Sequence, residues 1–304
     1  METAGADERI SEGHLIHIGY AKAGSTFLQE WFAGHPELAY VTGGLAGYAD
    51  IWDLARQAAR PRRPLAYRVS SAEALAVPSV HAGTRAPRDW RITAEAQAAA
   101  CSMLARVFPN ARILLVTRGF PSVLLSSYSQ YVRAGGTRSY RAFLDEAPDG
   151  LDALWNYDAL IRMYEAAFAG DVIAMPFELL RDDPPRFVAE LQSELGLSQR
   201  GPIPGRVNPS LTAAEMHWYP RLSRLVASFP ARGRLRRRLL GAWVGCTRGN
   251  RLAPLIAVLE RLRPAPPIEP GQLADELVET FRGRAEALRG RRLYAPYAGD
   301  YLLP

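Results

Sequence analysis

The chain has 304 residues, and 37 basic against 31 acidic side chains leave a formal charge of +6 at neutral pH. A hydrophobic share of 48% is enough for a sizeable core, so disorder is excluded as the general state, and the length suits one large α/β domain or two small ones. Two cysteines, Cys101 and Cys246, exclude a disulfide framework and a four-ligand zinc site, and idle thiols in a reducing cytosol are expected.

No apolar stretch approaches the ~20 residues that a bilayer requires, Leu239–Cys246 being typical of the longest. Met1–Gly13 is short and mostly acidic, unlike a secretory signal. A cytoplasmic protein is therefore expected. Two features of the charge stand out. Of the basic residues, 36 are arginine and one, Lys22, is lysine. The excess is also local: Arg221–Arg263 holds eleven arginines and a single acid, Glu260, for +10, which leaves the rest of the chain at −4.

Taken in chain order, His14–Gly19 reads as a short buried strand, and Thr26–Phe32 as the helix after its glycine-containing loop. Leu65–Ser71 is a second strand. Thr93–Val107 is an alanine-rich helix with Thr93 as its N-cap. Ala111–Thr117 (ARILLVT) is the clearest strand, followed by a helix over Pro121–Arg133. Leu151–Phe168 reads as one long amphipathic helix, Asp171–Met175 as a strand and Pro184–Leu195 as a helix. Pro264–Pro270 is a stiff connector before a last helix over Gln272–Leu288. Strands alternating with helices imply a mostly parallel central sheet flanked by helices, with right-handed crossovers.

The run Gly19-Tyr20-Ala21-Lys22-Ala23-Gly24-Ser25-Thr26 falls at the first strand–helix turn. In such folds ligands bind at the carboxyl ends of the strands. Gly24 lets backbone approach an anion closely. Ser25 and Thr26 bring hydroxyls and N–H groups to a helix N-terminus, where the dipole favours negative charge, and Lys22 adds a mobile point charge. The usual nucleotide loop ends in Gly-Lys-Ser/Thr, and no Gly-Lys pair exists anywhere in the chain.

These residues resemble the 5′-phosphosulfate loop of the sulfotransferases that use 3′-phosphoadenosine 5′-phosphosulfate (PAPS). That loop runs roughly Pro-Lys-Ser/Thr-Gly-Ser/Thr-Thr. Ala21 stands where proline is usual, and Ala23 where a hydroxyl is usual, so one side-chain donor is absent. The resemblance also implies an arginine at the end of a later strand and a serine eight residues on, both holding the donor's 3′-phosphate. ARILLVT ends at Arg118, and Ser126 lies eight residues on, about two turns into the next helix. A guanidinium fork with a hydroxyl suits a phosphate dianion. Pro176–Pro184 is similar to the family's segment after its fourth strand, with Glu178 as a structural residue. Arg206-Val207-Asn208-Pro209-Ser210 resembles the Asn-x-Ser loop of the bacterial and carbohydrate-type branch, which closes over the nucleotide. Arg206, Asn208 and Ser210 thereby join Ala23, Gly24, Ser25, Thr26, Arg118 and Ser126 as residues expected on PAPS. The Gly-x-x-Gly-x-x-Lys segment of the small-molecule branch is absent.

The resemblance covers about Leu15–Ser210. It implies a single domain over 1–304: a P-loop-like nucleotide-binding core at 15–210 and a helical extension at 211–304. It further implies in-line transfer of a sulfuryl group to a hydroxyl of a glycan, glycolipid or secondary metabolite, with 3′,5′-bisphosphoadenosine (PAP) as product and no metal. Lys22 would stabilise the leaving oxygen. The acceptor needs a general base. Glu73, just past the second strand, is preferred over His81 in the loop PSVHAGTR. His17 reads as a core histidine, His35 as a cap and His217 as packing. Tyr128, Tyr131, Trp155 and Tyr157 fit either an acceptor pocket or the core.

Leu235, Leu239, Leu240, Trp243 and Val244 share a helical spacing, with Arg234 and Arg236–Arg238 on other faces. This is either a core-packing helix with a solvated arginine face or a surface for anionic membrane or acidic glycan through 221–263, peripheral to the inner membrane face. Nucleic acid is not expected, because no aromatics interleave with a basic strand or loop. Two rivals remain: a P-loop-type nucleotide kinase, and a non-catalytic membrane-docking protein with a degenerate nucleotide fold.

Overall fold

The computed structural model describes residues 13–20, 22–58, 64–76, 91–145, 154–169, 171–205, 211–230, 233–249, 251–268 and 275–304. Five strands are present among them: β1 (Gly13–Gly19), β2 (Leu38–Ala39), β3 (Tyr67–Ala72), β4 (Arg112–Thr117) and β5 (Val172–Pro176). In chain order the helices are α1 (Ser25–Gly34), α2 (Ile51–Ala58), α3 (Arg91–Val107), α4 (Phe120–Arg133), α5 (Tyr140–Asp145) and α6 (Tyr157–Ala167). They continue as α7 (Phe177–Asp182), α8 (Pro184–Leu195), α9 (Ala213–Ser228), α10 (Gly233–Arg248), α11 (Ala253–Leu262) and α12 (Asp275–Phe281). Two compact units result: Met1–Gly119 with Gly150–Val207 and Thr280–Pro304, and Phe120–Asp149 with Asn208–Glu279.

The first unit is built on a parallel sheet of order β2-β3-β1-β4-β5. The last five residues of β1, the last five of β4 and all of β5 are buried without alternation. Strands covered by helices on both faces show this pattern, which is why they read as apolar runs. Each fully buried Leu, Ile or Val there contributes about 1.5–3 kcal/mol. Helix α1 turns Phe27, Leu28, Trp31 and Phe32 inward, two pairs one helical turn apart. Because β1 lies between β3 and β4, the chain leaves β1 first toward one edge and later returns to the other. The sheet therefore has its topological switch point at β1/β4.

The second unit packs α4, α9 and α11 around Tyr128, Val132, Leu211, Met216, Tyr219 and Ile256. A capping box starts α9: Thr212 accepts from the Glu215 N–H while the Glu215 carboxylate accepts from the Thr212 N–H. The Tyr128 hydroxyl donates to the carbonyls of Arg138 and Met216, so Tyr128 belongs to the core.

Three expected elements differ. Thr93 falls inside α3, not at its cap. The long helix expected over Leu151–Phe168 is interrupted: among its described residues Leu154 is helical, Trp155 and Asn156 are not, and α6 begins at Tyr157. Asn156 has non-helical backbone and its side chain accepts from the Ala159 N–H, so it caps a fresh helix. The last helix expected over Gln272–Leu288 divides into α12 and a 3-10 turn at Glu286–Leu288, with Gly283 between them at φ +76. Several elements had no counterpart in the expectation: the short edge strand β2, the helices α2, α5 and α7, and the 3-10 segments at Glu73–Leu75 and Arg292–Tyr301.

Candidate active site

The loop after β1 is tight. The Ala23 N–H bonds back to the Tyr20 carbonyl, and Lys22 (φ +69) and Gly24 (φ +85) both take the left-handed conformation. For lysine that conformation costs on the order of 1–3 kcal/mol, a strain typical of functional loops. Gly24 is required twice over, because a Cβ there would lie 2.4 Å from Leu180 Cδ2 of α7. The loop passes Gly19 as closely: a Cβ at that position would meet Ser25 Oγ at 2.9 Å and His17 Nε2 at 3.1 Å.

Helix α1 starts without a side-chain cap and without an acid in its first turn. Its first helical bond runs from the Leu28 N–H to the Gly24 carbonyl, so the N–H groups of Ser25, Thr26 and Phe27 precede the bonded ladder. Their partial positive charge is thus offered to an outside anion. Ser25 Oγ is buried and has no hydrogen-bond partner among the described residues. An orphaned hydroxyl, open amides and glycine-shaped clearance form a donor set that suits a phosphate or sulfate group.

Arg118 follows β4. The register of β1 on β4 ends at Gly19↔Val116, so the loops that carry Lys22 and Arg118 emerge side by side at the switch point. They are joined there. Arg118 Nη1 donates to the Lys22 carbonyl at 2.6 Å, and the guanidinium lies 4.4 Å over the Phe177 ring. Burial lowers the Arg118 pKa, an effect that nearby Glu178 opposes. The Tyr157 hydroxyl donates to the Arg118 carbonyl at 2.6 Å.

Behind Arg118 lies a buried polar network. Glu178, fully buried at the start of α7, accepts from the Gly119 N–H at 2.9 Å and from the Tyr301 hydroxyl at 2.7 Å. Thr117 Oγ1 meets the Tyr294 and Tyr301 hydroxyls at 2.8 and 3.1 Å. Desolvation holds all three tyrosines, Tyr157, Tyr294 and Tyr301, in their neutral hydrogen-bonding form. Glu178 thus fastens the turn after β4 to the C-terminal segment, the structural part read for it. Tyr157 supports the arginine loop from beneath. Thr117, Phe177, Tyr294 and Tyr301 had given no signal of this role.

The other expected residues fall as follows. Glu73 opens a 3-10 turn directly after β3, and Ala72 pairs with Ile18 in β1. It is therefore at the same end of the sheet as the Lys22 loop, one strand over. Ser126 is buried on α4 in the second unit. Ala21, His81, Arg206, Asn208 and Ser210 lie outside the described residues. His35 bridges the Glu37 N–H and the Gln199 carbonyl just past α1, and His217 lies edge-on to Trp218. His17 is fully buried, with Nδ1 on Ser71 Oγ at 2.8 Å, and burial brings its pKa down to about 4. Its Nε2, facing Gly19, has no partner among the described residues. Among the described residues no group of His, Cys, Asp and Glu could hold a metal ion, and no helix is long and apolar enough to cross a membrane.

The fold is that of a P-loop-like α/β protein, and its Lys22 and Arg118 loops meet at the sheet's switch point. A family model described as "Sulfotransferase family" matches residues 15–200, and the chain belongs to that family. No curated protein matches it. Among solved structures it is similar to a sulfotransferase from Alicyclobacillus acidocaldarius at 18% identity, over 77% of this chain and 96% of that one, with a TM-score of 0.43. It is also similar to a mouse sulfotransferase complexed with PAP, at 15% identity over 96% and 90% of the two chains, with a TM-score of 0.35.

Proposed function

We propose that this sulfotransferase moves the sulfuryl group of PAPS to a hydroxyl of a glycan, lipid or secondary metabolite in the cytoplasm. The observation that carries the reading is the 2.6 Å bond from Arg118 to the Lys22 carbonyl. It couples two cation-bearing loops at the ends of adjacent strands, which suits a nucleotide with anionic groups at two positions.

When bound, PAPS supplies an activated sulfuryl group. The amides of Ala23–Thr26 and the Ser25 hydroxyl would hold its 5′ end. Arg118 would hold its 3′-phosphate, and by the family resemblance Ser126, Arg206, Asn208 and Ser210 are the further residues expected on the nucleotide. Glu73 takes the proton of the acceptor hydroxyl as the new O–S bond forms, and His81 is the alternative base. Lys22 would offer its ammonium to the oxygen that gains charge as the S–O bond of the donor breaks. An ammonium fixed where charge develops stabilises the transition state more than the ground state. Leu180 and Phe177 pack against Gly24 and give the loop an apolar wall.

Calorimetry with PAP and with ATP-Mg²⁺ tests the assignment. PAP alone should bind. Binding of ATP-Mg²⁺ alone would make the protein a kinase, and binding of neither would leave a degenerate nucleotide fold.

A further inference from the structure

The arginine-rich segment of the second unit has a property that a core-packing helix would lack. Helix α10 is anchored by its C-terminal half: Trp243 Nε1 donates to Ser223 Oγ at 2.8 Å and Thr247 Oγ1 donates to the Arg133 carbonyl at 2.9 Å. Its N-terminal half is different. Every residue from Gly233 to Leu239 is exposed. Leu235 (58% exposed) and Leu239 stand one turn apart on a line that continues to Ala242 and Cys246, with Arg236 and Arg238 on either side.

The helices on either side in sequence also expose apolar side chains. Leu225 and Phe229 (61% exposed) end α9 and its cap, and α11 presents Leu255, Val258 and Leu262 (78% exposed) at i, i+3 and i+7. Single exposed leucines need no explanation, but seven large apolar side chains within one arginine-rich segment do. Glu260, the segment's only acid, is tied to the Ala265 N–H. No ion pair among the described residues engages Arg234 or Arg236–Arg238.

We infer that this α9–α11 face docks on an anionic lipid bilayer, with the leucines below the headgroups and the guanidinium groups among them. Charge complementarity selects this occupant. A second copy would set +10 against +10. A soluble polyanion would satisfy the arginines and leave the leucine stripe in water. An anionic bilayer satisfies both, since arginine keeps its head at the headgroup level while its stem lies along apolar surface. The inference is independent of sulfuryl transfer.

The test is co-sedimentation of the full chain with vesicles of phosphatidylcholine alone or mixed with phosphatidylglycerol. Binding should require phosphatidylglycerol and weaken in high salt. Each arginine at an anionic surface is worth about fivefold in partition, so Arg236→Gln/Arg237→Gln/Arg238→Gln should lose on the order of 100-fold. Leu235→Ser/Leu239→Ser should also lose binding while keeping all charges. Arg186→Gln, an exposed arginine of the first unit, should leave it unchanged. Circular dichroism verifies that each variant folds. Equal binding to neutral vesicles, full binding by either multiple variant, or capture by heparin with none by vesicles would overturn the inference. So would self-association through this face that the leucine variant abolishes without any vesicle binding by the parent.

Discussion

Arg118→Ala should separate the two ends of the donor. The guanidinium has two tasks in this account: it holds the 3′-phosphate and it tethers the Lys22 carbonyl at 2.6 Å. A charge-assisted bond of the second kind is worth about 1.5–3 kcal/mol, similar to the roughly 1–3 kcal/mol that left-handed Lys22 costs. Without the tether the Lys22 loop should sample other conformations, so even adenosine 5′-phosphosulfate, which lacks a 3′-phosphate, should bind up to about tenfold more weakly. PAP should lose that and the phosphate contact besides, a further 10- to 150-fold for about 1.5–3 kcal/mol. Calorimetric titration of both ligands into parent and variant measures the two losses. Equal losses would refute the reasoning, because they would leave the 3′-phosphate away from Arg118.

Lys22→Gly removes the ammonium but suits φ +69, so it should abolish transfer while leaving the melting temperature unchanged or raised by the equivalent of about 1 kcal/mol. A marked drop in stability would contradict the strained-loop account. Glu178→Ala leaves the Gly119 N–H and the Tyr301 hydroxyl without their acceptor, a loss of about 3–6 kcal/mol in urea unfolding at about 1.5–3 kcal/mol per charged bond. Glu178→Gln keeps an acceptor for Gly119 and should lose less; equal losses would set the hydrogen-bond account aside. Burial holds His17 near pKa 4 against an ordinary 6.5, so as pH falls the unfolded chain takes up its proton first. Native stability should therefore decline between pH 6.5 and 4 by up to about 3 kcal/mol from this group, and His17→Gln should flatten that part of the profile. An unchanged slope in the variant would refute the assignment.

The parts of the site that the sequence displays are those made by local runs. HLIHIG and ARILLVT are apolar because β1 and β4 are covered on both faces, and each run ends at the loop that carries a cation. Lys22 is conspicuous as the single lysine, while the left-handed backbone it adopts is something only the structure displays. What stayed hidden depends on distance along the chain. Tyr294 and Tyr301 reach Thr117 and Glu178 across more than a hundred residues, and nothing near them in sequence marks that contact. The expected helix at 151–168 misjudged Asn156 because an asparagine inside a helical pattern and one that caps a new helix differ only in backbone geometry.

Transfer of radiolabelled sulfur from PAPS to hydroxyl-bearing compounds of a cell extract tests the central claim most directly. The account predicts a labelled sulfate ester with the parent protein and none with Lys22→Ala, which should still bind PAP measurably through Arg118. Label transfer by Lys22→Ala at the parent rate, or none by a parent protein that binds PAP, would contradict it.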